Sequence, residues 1–471
     1  MSFWNRRRGI DDATAAHGAQ RAQLRRSLGW PHLVALGVGG IVGTGIYTLT
    51  GEAAALAGPA AMLSFLIAGA VCACAALAYA EMATMIPVAG SAYTYSYAVI
   101  GEGWAWIVGW SLILEYTLVC SVVAVGWGGY ASGLIHQAQL PIPEALMHAP
   151  GAGGVIDLPA IFIALAVAAL LMLGTRESAR VNLVLVIVKI VALAGFVAFC
   201  APAFDAAHFS PFMPHGFAAH EVDGVKMGVM AAASIIFFAF YGFDAISTAS
   251  EEARNPGRDL TIGIVGSMLI CVLIYMAVAA SAIGAQPVAS FAKSAEPLAQ
   301  ILRLLDHPKA AALIGGAAVV ALPTVIMVFM YGQSRVFFAM ARDGLLPQRL
   351  AAVSAKRGVP VAVTLLTGVI AATLAGFMPL SRIVALANAG TLCAFIATAA
   401  SMMILRIREP QRQRRFRTPW WPLIGTVAIV GCLYLFSSLP AETLHFFLIW
   451  NALGLLIYLF WARHRSALAP S

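Results

Sequence analysis

Apolar residues run along this chain in long blocks, separated by short breaks rich in charge, glycine or proline. About 20 consecutive apolar residues cross a bilayer core as a helix, and twelve such blocks occur. They span residues 31–57, 60–86, 103–135, 157–174, 181–201, 227–250, 260–284, 311–340, 360–378, 382–405, 420–439 and 443–462. The pattern predicts an all-α polytopic membrane protein with 12 transmembrane helices. The first block is long enough to hide a kink. The third exceeds a straight crossing, so a tilted helix, or one that runs beyond the membrane, is expected there.

Composition narrows the class. Of 471 residues, 61% are apolar and 11% charged, against roughly 45–50% and about 25% in ordinary globular proteins. A mean hydropathy of +0.85 and 43 glycines suit a bundle of hydrophobic helices, where glycine is frequent. A soluble domain, a disordered chain and a nucleic-acid-binding protein are thereby disfavoured. The formal charge of +8 comes from 29 Lys and Arg against 21 Asp and Glu. Cytoplasmic segments retain Lys and Arg, so alternate loops orient the chain. One side holds 23 basic residues, among them Arg6, Arg7, Arg8, Arg21, Arg25, Arg26, Arg176, Arg254, Arg258, Lys356, Arg357 and the run Arg406 to Arg417. The other side holds 5: Lys226, Lys293, Arg303, Lys309 and Arg382. Both termini are therefore expected in the cytoplasm. The first 29 residues are polar and basic, without a small-residue cleavage site, and read as a cytoplasmic tail and not a signal peptide. All seven cysteines lie in apolar blocks and form no ligand spacing, as small buried residues would.

The first block contains Gly37-Val-Gly39-Gly40-Ile-Val-Gly43-Thr-Gly45, five glycines in nine residues, each costing helix stability of up to ~1 kcal/mol. A dinucleotide fingerprint needs a preceding strand and a βαβ unit, and neither is present. Gly39 and Gly43 have the GxxxG spacing of a helix-packing motif. Alternatively, the helix unwinds here and its freed N–H and C=O groups line a cavity, the setting in which non-helical backbone is tolerated at membrane depth. The sixth block carries Phe237-Phe-Ala-Phe-Tyr-Gly242-Phe-Asp244, a second mid-membrane glycine followed by a carboxylate. Interruptions in the first helix of each of two five-helix halves point to an inverted-repeat transporter with its site at the midplane. Half-helix N–H groups around Gly43, Thr44 and Gly45 suit a carboxylate. Carbonyls near Ile41, Phe238 and Tyr241 suit an ammonium group, so a zwitterion fits both ends.

Few ionisable groups lie inside the blocks. Lys189 sits about 12 Å along its helix at 1.5 Å per residue, flanked by apolar residues on both sides. Snorkelling works best near helix ends. An amine that changes charge state here can carry a proton, and a fixed ammonium can stand where Na⁺ stands elsewhere. Glu115 is the other deep carboxylate, serving either an internal hydrogen bond or substrate contact. Asp244 follows the second interruption, and Glu251 and Glu252 suit solvation or pairing with Arg254 and Arg258. Glu81, near a helix end, reads as structural. His136, His148, His208, His215 and His220 show no metal-ligand spacing, and no nucleophile, zinc or phosphate-loop motif occurs. The chain is thus expected to be no enzyme and to need no metal or cofactor. Residues 291–306 have amphipathic helical character, fitting a lid or a passive interfacial helix. The arginines from 406 to 417 suit anionic headgroups or simple topology setting. Trp420, Trp421, Trp450 and Trp461 lie where interfacial anchors belong.

Several segments resemble the amino acid-polyamine-organocation transporter superfamily, and within it the cationic-amino-acid-transporter-like subfamily. They are Gly40-Ile-Val-Gly-Thr-Gly-Ile-Tyr47, Ala57-Gly-Pro-Ala60, Ala78-Tyr-Ala-Glu-Met-Ala83, Pro87-Val-Ala-Gly-Ser-Ala-Tyr-Thr-Tyr95, Gly101 to Trp110, Phe237 to Asp244, Glu251-Glu-Ala-Arg-Asn-Pro256 and Gln333 to Gly344. The resemblance covers nearly the whole chain. It implies a leucine-transporter-like 5+5 inverted repeat with broken helices 1 and 6, working by alternating access, plus two C-terminal helices. The corresponding units are the tail 1–29, a core 30–405 (repeats 30–201 and 227–405), a basic loop 406–419, accessory helices 420–462 and a tail 463–471. By the same resemblance, Ile41, Thr44 and Gly45 bind the substrate carboxylate, and Gly43 joins them by its place at the half-helix start. Ile41, Phe238 and Tyr241 bind the amino group, with Ala239 in the same segment. The resemblance makes Phe238 the aromatic gate and places Lys189 where a proton-coupling lysine stands, and Asp244, just beyond the second interruption, is expected to share in gating. Glu115 can pair with a cationic side chain, whereas Leu322 keeps that part of the pocket apolar. The expected function is import of L-amino acids across the plasma membrane with protons. Exchange of one amino acid for another or for a polyamine is the alternative, and a non-cycling sensor or channel the rival of a different class. Substrate, H⁺ and the lipid bilayer are the expected partners.

The charge count makes a direct prediction. Alkaline phosphatase fused after Ser471 should be inactive and a fluorescent protein fused there should fluoresce. Active phosphatase would place the C-terminus outside.

Overall fold

A computed structural model describes residues 3–10, 28–173, 178–250, 253–352, 354 and 360–469. Arg21, Arg25, Arg26, Arg176, Glu251, Glu252, Lys356 and Arg357 lie outside the described residues. Helix occupies each of the twelve apolar blocks. In chain order the helices are α1 (Trp30–Ile41), α2 (Thr44–Tyr47), α3 (Leu49–Ala57), α4 (Ala61–Met85), α5 (Ala92–Val99), α6 (Glu102–Gln137), α7 (Leu158–Leu173), α8 (Ser178–Cys200) and α9 (Val229–Ile236). There follow α10 (Phe243–Thr248), α11 (Pro256–Ala285), α12 (Pro297–Leu304), α13 (Pro308–Ala321), α14 (Pro323–Arg342), α15 (Val361–Phe377), α16 (Leu380–Arg408), α17 (Trp421–Ser437) and α18 (Ala441–Ile457). Among the described residues, eight helical segments are long and apolar enough to cross a membrane, and four apolar helices are shorter.

The all-helical expectation misses two small features: antiparallel hairpins pairing Met147–His148 with Ile156–Asp157 and His220–Val222 with Val225–Met227. Both lie in connections between apolar blocks. A second difference is a break in the eighth block. Pro323 has no amide to donate, which divides α13 from α14 at Leu322, yet Leu322 keeps helical dihedrals (φ −59°, ψ −35°) and the two run on as one segment, Pro308–Arg342. Its apolar surroundings hide that break from a hydropathy reading.

The first and sixth blocks are interrupted as expected. Between α1 and α2, Val42 turns extended (ψ 96°) and Gly43 follows at φ −150°, ψ −147°. After α9 a tight 3₁₀ turn spans Phe237–Phe240, Tyr241 turns extended and Gly242 adopts φ 114°. Only glycine takes that conformation without strain. Space requires glycine as well, since a Cβ on Gly242 would lie 2.6 Å from the Gly40 carbonyl carbon. The two interruptions therefore meet backbone to backbone. The long helix α11 packs along α1 and α4, while α14 and α16 pack along α6.

At the end of the bundle that carries both termini, Glu81 of α4 binds two arginines. Arg406 Nε and Nη2 donate to its two oxygens at 2.7 and 2.8 Å, and Arg414 Nε lies 3.1 Å away. The Thr418 amide adds a 2.8 Å bond, so the loop after α16 is pinned beneath α4. Arg8 pairs with Asp343 at 2.5 Å, and the Tyr93 hydroxyl donates to the same carboxylate at 2.8 Å. At the opposite end, residues 291–304 lie over α3 and α6. Any Cβ on Gly51 or Gly129 would press on Phe291 or Ala295, and one on Gly133 would meet the Glu296 carboxylate. Burial raises the Glu296 carboxyl above its ordinary range, against the pull of Arg303 at 2.5 Å. The amphipathic segment is thus a packed cover, its helix confined to α12.

Glu81→Gln leaves two guanidinium groups without their carboxylate and is expected to destabilise the fold by on the order of 3 kcal/mol. The readout is a lower Tm in detergent. An unchanged Tm would mean that neighbouring carbonyls replace the pairing.

Candidate functional site

Removing a helix hydrogen bond inside a membrane leaves polar groups that need partners, and the two interruptions place such groups around one cavity. Gly40, Ile41, Gly43, Thr44, Gly45, Val119, Val123, Phe238, Tyr241, Val325 and Phe329 line it. At one edge, among the described residues, the amides of Thr44 and Gly45 donate to no carbonyl, whereas those of Ile46 and Tyr47 both reach Gly43 O at 3.2 Å. Among the described residues, the buried Thr44 hydroxyl has no hydrogen-bond partner. This edge offers donors to an anionic group. Gly45 is held by close approach, because a Cβ there would sit 2.3 Å from the Ala239 Cα.

The ammonium end is more occupied than the sequence suggests. The Tyr275 hydroxyl of α11 donates to the Ile41 carbonyl at 2.7 Å, and the Phe238 carbonyl accepts the Tyr241 amide at 3.4 Å. Tyr241 donates its hydroxyl to Asn388 Oδ1 of α16, and Asn388 Nδ2 donates to Ser234 O at 2.6 Å. These bonds fix the ends of the broken sixth helix. The Phe238 and Tyr241 rings lie 5.1 Å apart, forming an aromatic wall.

Of the residues singled out from sequence, Ile41, Gly43, Thr44, Gly45, Phe238 and Tyr241 come together on the cavity wall. Glu115, Ala239, Leu322, Lys189 and Asp244 do not line it. Leu322 is buried at the break between α13 and α14, and Val325 and Phe329 of α14 face the cavity instead. Glu115 lies one turn from the lining residue Val119, fully buried, its oxygens near the Thr391 hydroxyl and without a satisfactory hydrogen bond. Asp244 accepts the Tyr116 hydroxyl at 2.6 Å and the Gly242 amide at 3.1 Å. It caps the second break and ties it to α6.

Lys189 of α8 is fully buried. Its Nζ donates to the Gly39 carbonyl at 2.9 Å and to Thr324 Oγ1 at 2.8 Å. The lysine therefore spans the end of α1 and the start of α14, with Thr324 held in turn by Ala321 O at 2.7 Å. The residues that sequence reasoning missed are Val119, Val123, Val325, Phe329, Tyr275, Thr324 and Asn388. Apolar lining residues carry no signal within an apolar block. Tyr275 and Asn388 were visible only as isolated polar groups at membrane depth.

Gly45→Ala is expected to cut substrate uptake at least ten-fold, because the added methyl displaces the backbone that carries the aromatic wall. Uptake by vesicles holding equal amounts of monodisperse protein measures this. Wild-type uptake would show that the two segments part freely.

A family model described as amino acid permease matches residues 28–460. The branched-chain amino acid permease of Bacillus subtilis (strain 168) is 42% identical over 467 residues, 98% of each chain. The methylthioribose transporter of the same organism is 38% identical over 471 residues, 99% of this chain and 100% of that one. A vacuolar cationic amino acid transporter of Arabidopsis thaliana is 40% identical over 413 residues, 87% of this chain and 64% of that one. The interrupted helices and these matches lead to one assignment: the chain belongs to the amino acid permease family of the amino acid-polyamine-organocation superfamily, a multi-pass membrane transporter of amino acids and not an enzyme.

Proposed function

We propose that this protein imports L-amino acids with apolar, preferably branched, side chains across the plasma membrane together with protons, with both termini in the cytoplasm. The observation that carries this reading is the division of the cavity wall. Its polar edge, at Thr44 and Gly45, suits the carboxylate shared by all amino acids. Its side-chain lining includes the apolar Val119, Val123, Val325 and Phe329, and no charged residue among those described lines the cavity to pair with a charged side chain. Glu115 stands behind that wall. The 42% identity to a permease named for branched-chain amino acids supports the same preference.

Coupling rests on Lys189. Its two hydrogen bonds join α1 and α14 to α8, and charge-assisted bonds of this kind are roughly twice as strong as neutral ones. With the amine protonated, the tie holds the first half-helix against the eighth. Loss of the proton weakens both bonds and frees α1 to move, so that proton release and substrate release fall on the same side. Phe238 closes the cavity from the sixth helix, and Asp244 holds the hinge behind it.

Two measurements test this. In a competition screen of all twenty amino acids and methylthioribose against labelled leucine, leucine, isoleucine and valine should compete at least ten-fold better than arginine or lysine. Equal competition by arginine would overturn the apolar preference. In proteoliposomes, an inward proton gradient should stimulate wild-type uptake and leave uptake by Lys189→Ala unchanged. Uptake that ignores the gradient and requires internal amino acid would instead establish exchange.

A further inference from the structure

We propose that the end of the bundle carrying both termini holds a binding site for the phosphate headgroup of an anionic phospholipid, formed by Arg258, Arg415 and Arg417 with Arg254 beside them. The structure sorts the arginines between 406 and 417 into two groups. Arg406 and Arg414 are committed to Glu81, Arg412 pairs with Glu409 at 2.7 Å, and Arg408 donates to the Val99 carbonyl at 2.8 Å. These side chains hold the loop in shape. Arg415 and Arg417 are exposed and, among the described residues, have no hydrogen-bond or ion-pair partner. The same holds for the side chains of Arg254 and Arg258.

The two pairs share one place. The loop crosses beneath α4, fixed there by Glu81, and the Arg415 side chain reaches the first turn of α11. A Cβ on Gly257 would lie 2.2 Å from Arg415 Cδ and 3.0 Å from Nη1. Arg258 is the next residue, and Arg254 stands just before the helix. Among the described residues the nearby acid, Asp259, is buried and accepts the Asn255 amide at 3.1 Å, so it faces inward and does not neutralise the group. Like charges gathered in one region repel one another, and an anion among them relieves that repulsion.

Level in the membrane decides the anion's source. Trp420 is 80% exposed at the start of the apolar helix α17, and Ile407 is 70% exposed at the end of α16. Exposed tryptophan at a helix end marks the headgroup level. Phosphodiesters of a lipid leaflet lie at that depth, and their acyl chains can cover Trp420 and Ile407. A soluble phosphate leaves that apolar surface bare.

The test uses the full-length protein in vesicles containing photoactivatable phosphatidylglycerol, with crosslinks located by peptide mass spectrometry. Crosslinks should fall on peptides around 254–260 and 415–421. Unlabelled phosphatidylglycerol should suppress them, while neither phosphatidylcholine nor soluble glycerol phosphate should. The variant R258Q/R415Q/R417Q should lose these crosslinks roughly five-fold or more, the scale expected from one basic group at an anionic surface, and keep crosslinks elsewhere. R415Q and R417Q singly serve if the triple variant fails to fold. Equal labelling by photoactivatable phosphatidylcholine, or unchanged labelling of the variants, would overturn the proposal. Suppression by glycerol phosphate would overturn it in favour of a free anion.

Discussion

A backbone amide or carbonyl at membrane depth has no water to turn to, and this constraint organises the protein. Both broken helices leave such groups exposed, and much of the buried polar chemistry serves them. Tyr275 takes up the Ile41 carbonyl, Asp244 the Gly242 amide, Lys189 the Gly39 carbonyl and Asn388 the Ser234 carbonyl. Each partner comes from a different helix: α11, α10 itself, α8 and α16. The breaks are held by the surrounding bundle, which also leaves Thr44 and Gly45 donors for a ligand.

Close packing makes this arrangement possible. Gly40 and Gly242 bring the two interrupted segments into backbone contact, and Gly45 lets the first pass against Ala239. Close packing and unwinding thus both occur in the first glycine run, at different residues, and the GxxxG pair Gly39 and Gly43 is divided between them. Gly37 abuts Ser267 and Ile246, and Gly39 abuts Asn182 and Val186, as packing positions. Gly43 stands at the unwinding and Gly45 at the crossing. The two interrupted segments and Lys189 are thus in direct contact with one another or with the same half-helix.

Charge acts on a different scale. Inside the bundle, Lys189 is satisfied by a carbonyl and a hydroxyl and Asp244 by a phenol and an amide, whereas Glu115 finds no satisfactory hydrogen bond among the described residues. At the end carrying both termini, carboxylates are matched with arginines, as in Glu81 with Arg406 and Arg414 and Asp343 with Arg8. Some arginines are left over, and they face the level where lipid phosphates lie.

Hydropathy alone located the apolar blocks within a few residues, because the bilayer's demand for about 20 apolar residues is a one-dimensional constraint. Glycine clusters located the interruptions for the same reason, as mid-membrane glycine is costly to a helix. Identity of the lining was beyond that reading. Val119, Val325 and Leu322 are equivalent letters within apolar blocks, and whether each faces the cavity, a neighbouring helix or lipid depends on helix rotation. The tertiary structure alone also decided which lone polar groups meet, bringing Lys189 to Thr324 and Tyr241 to Asn388 across more than a hundred residues of chain. A sequence records the cost of a buried polar group; only the packing of distant helices supplies its partner.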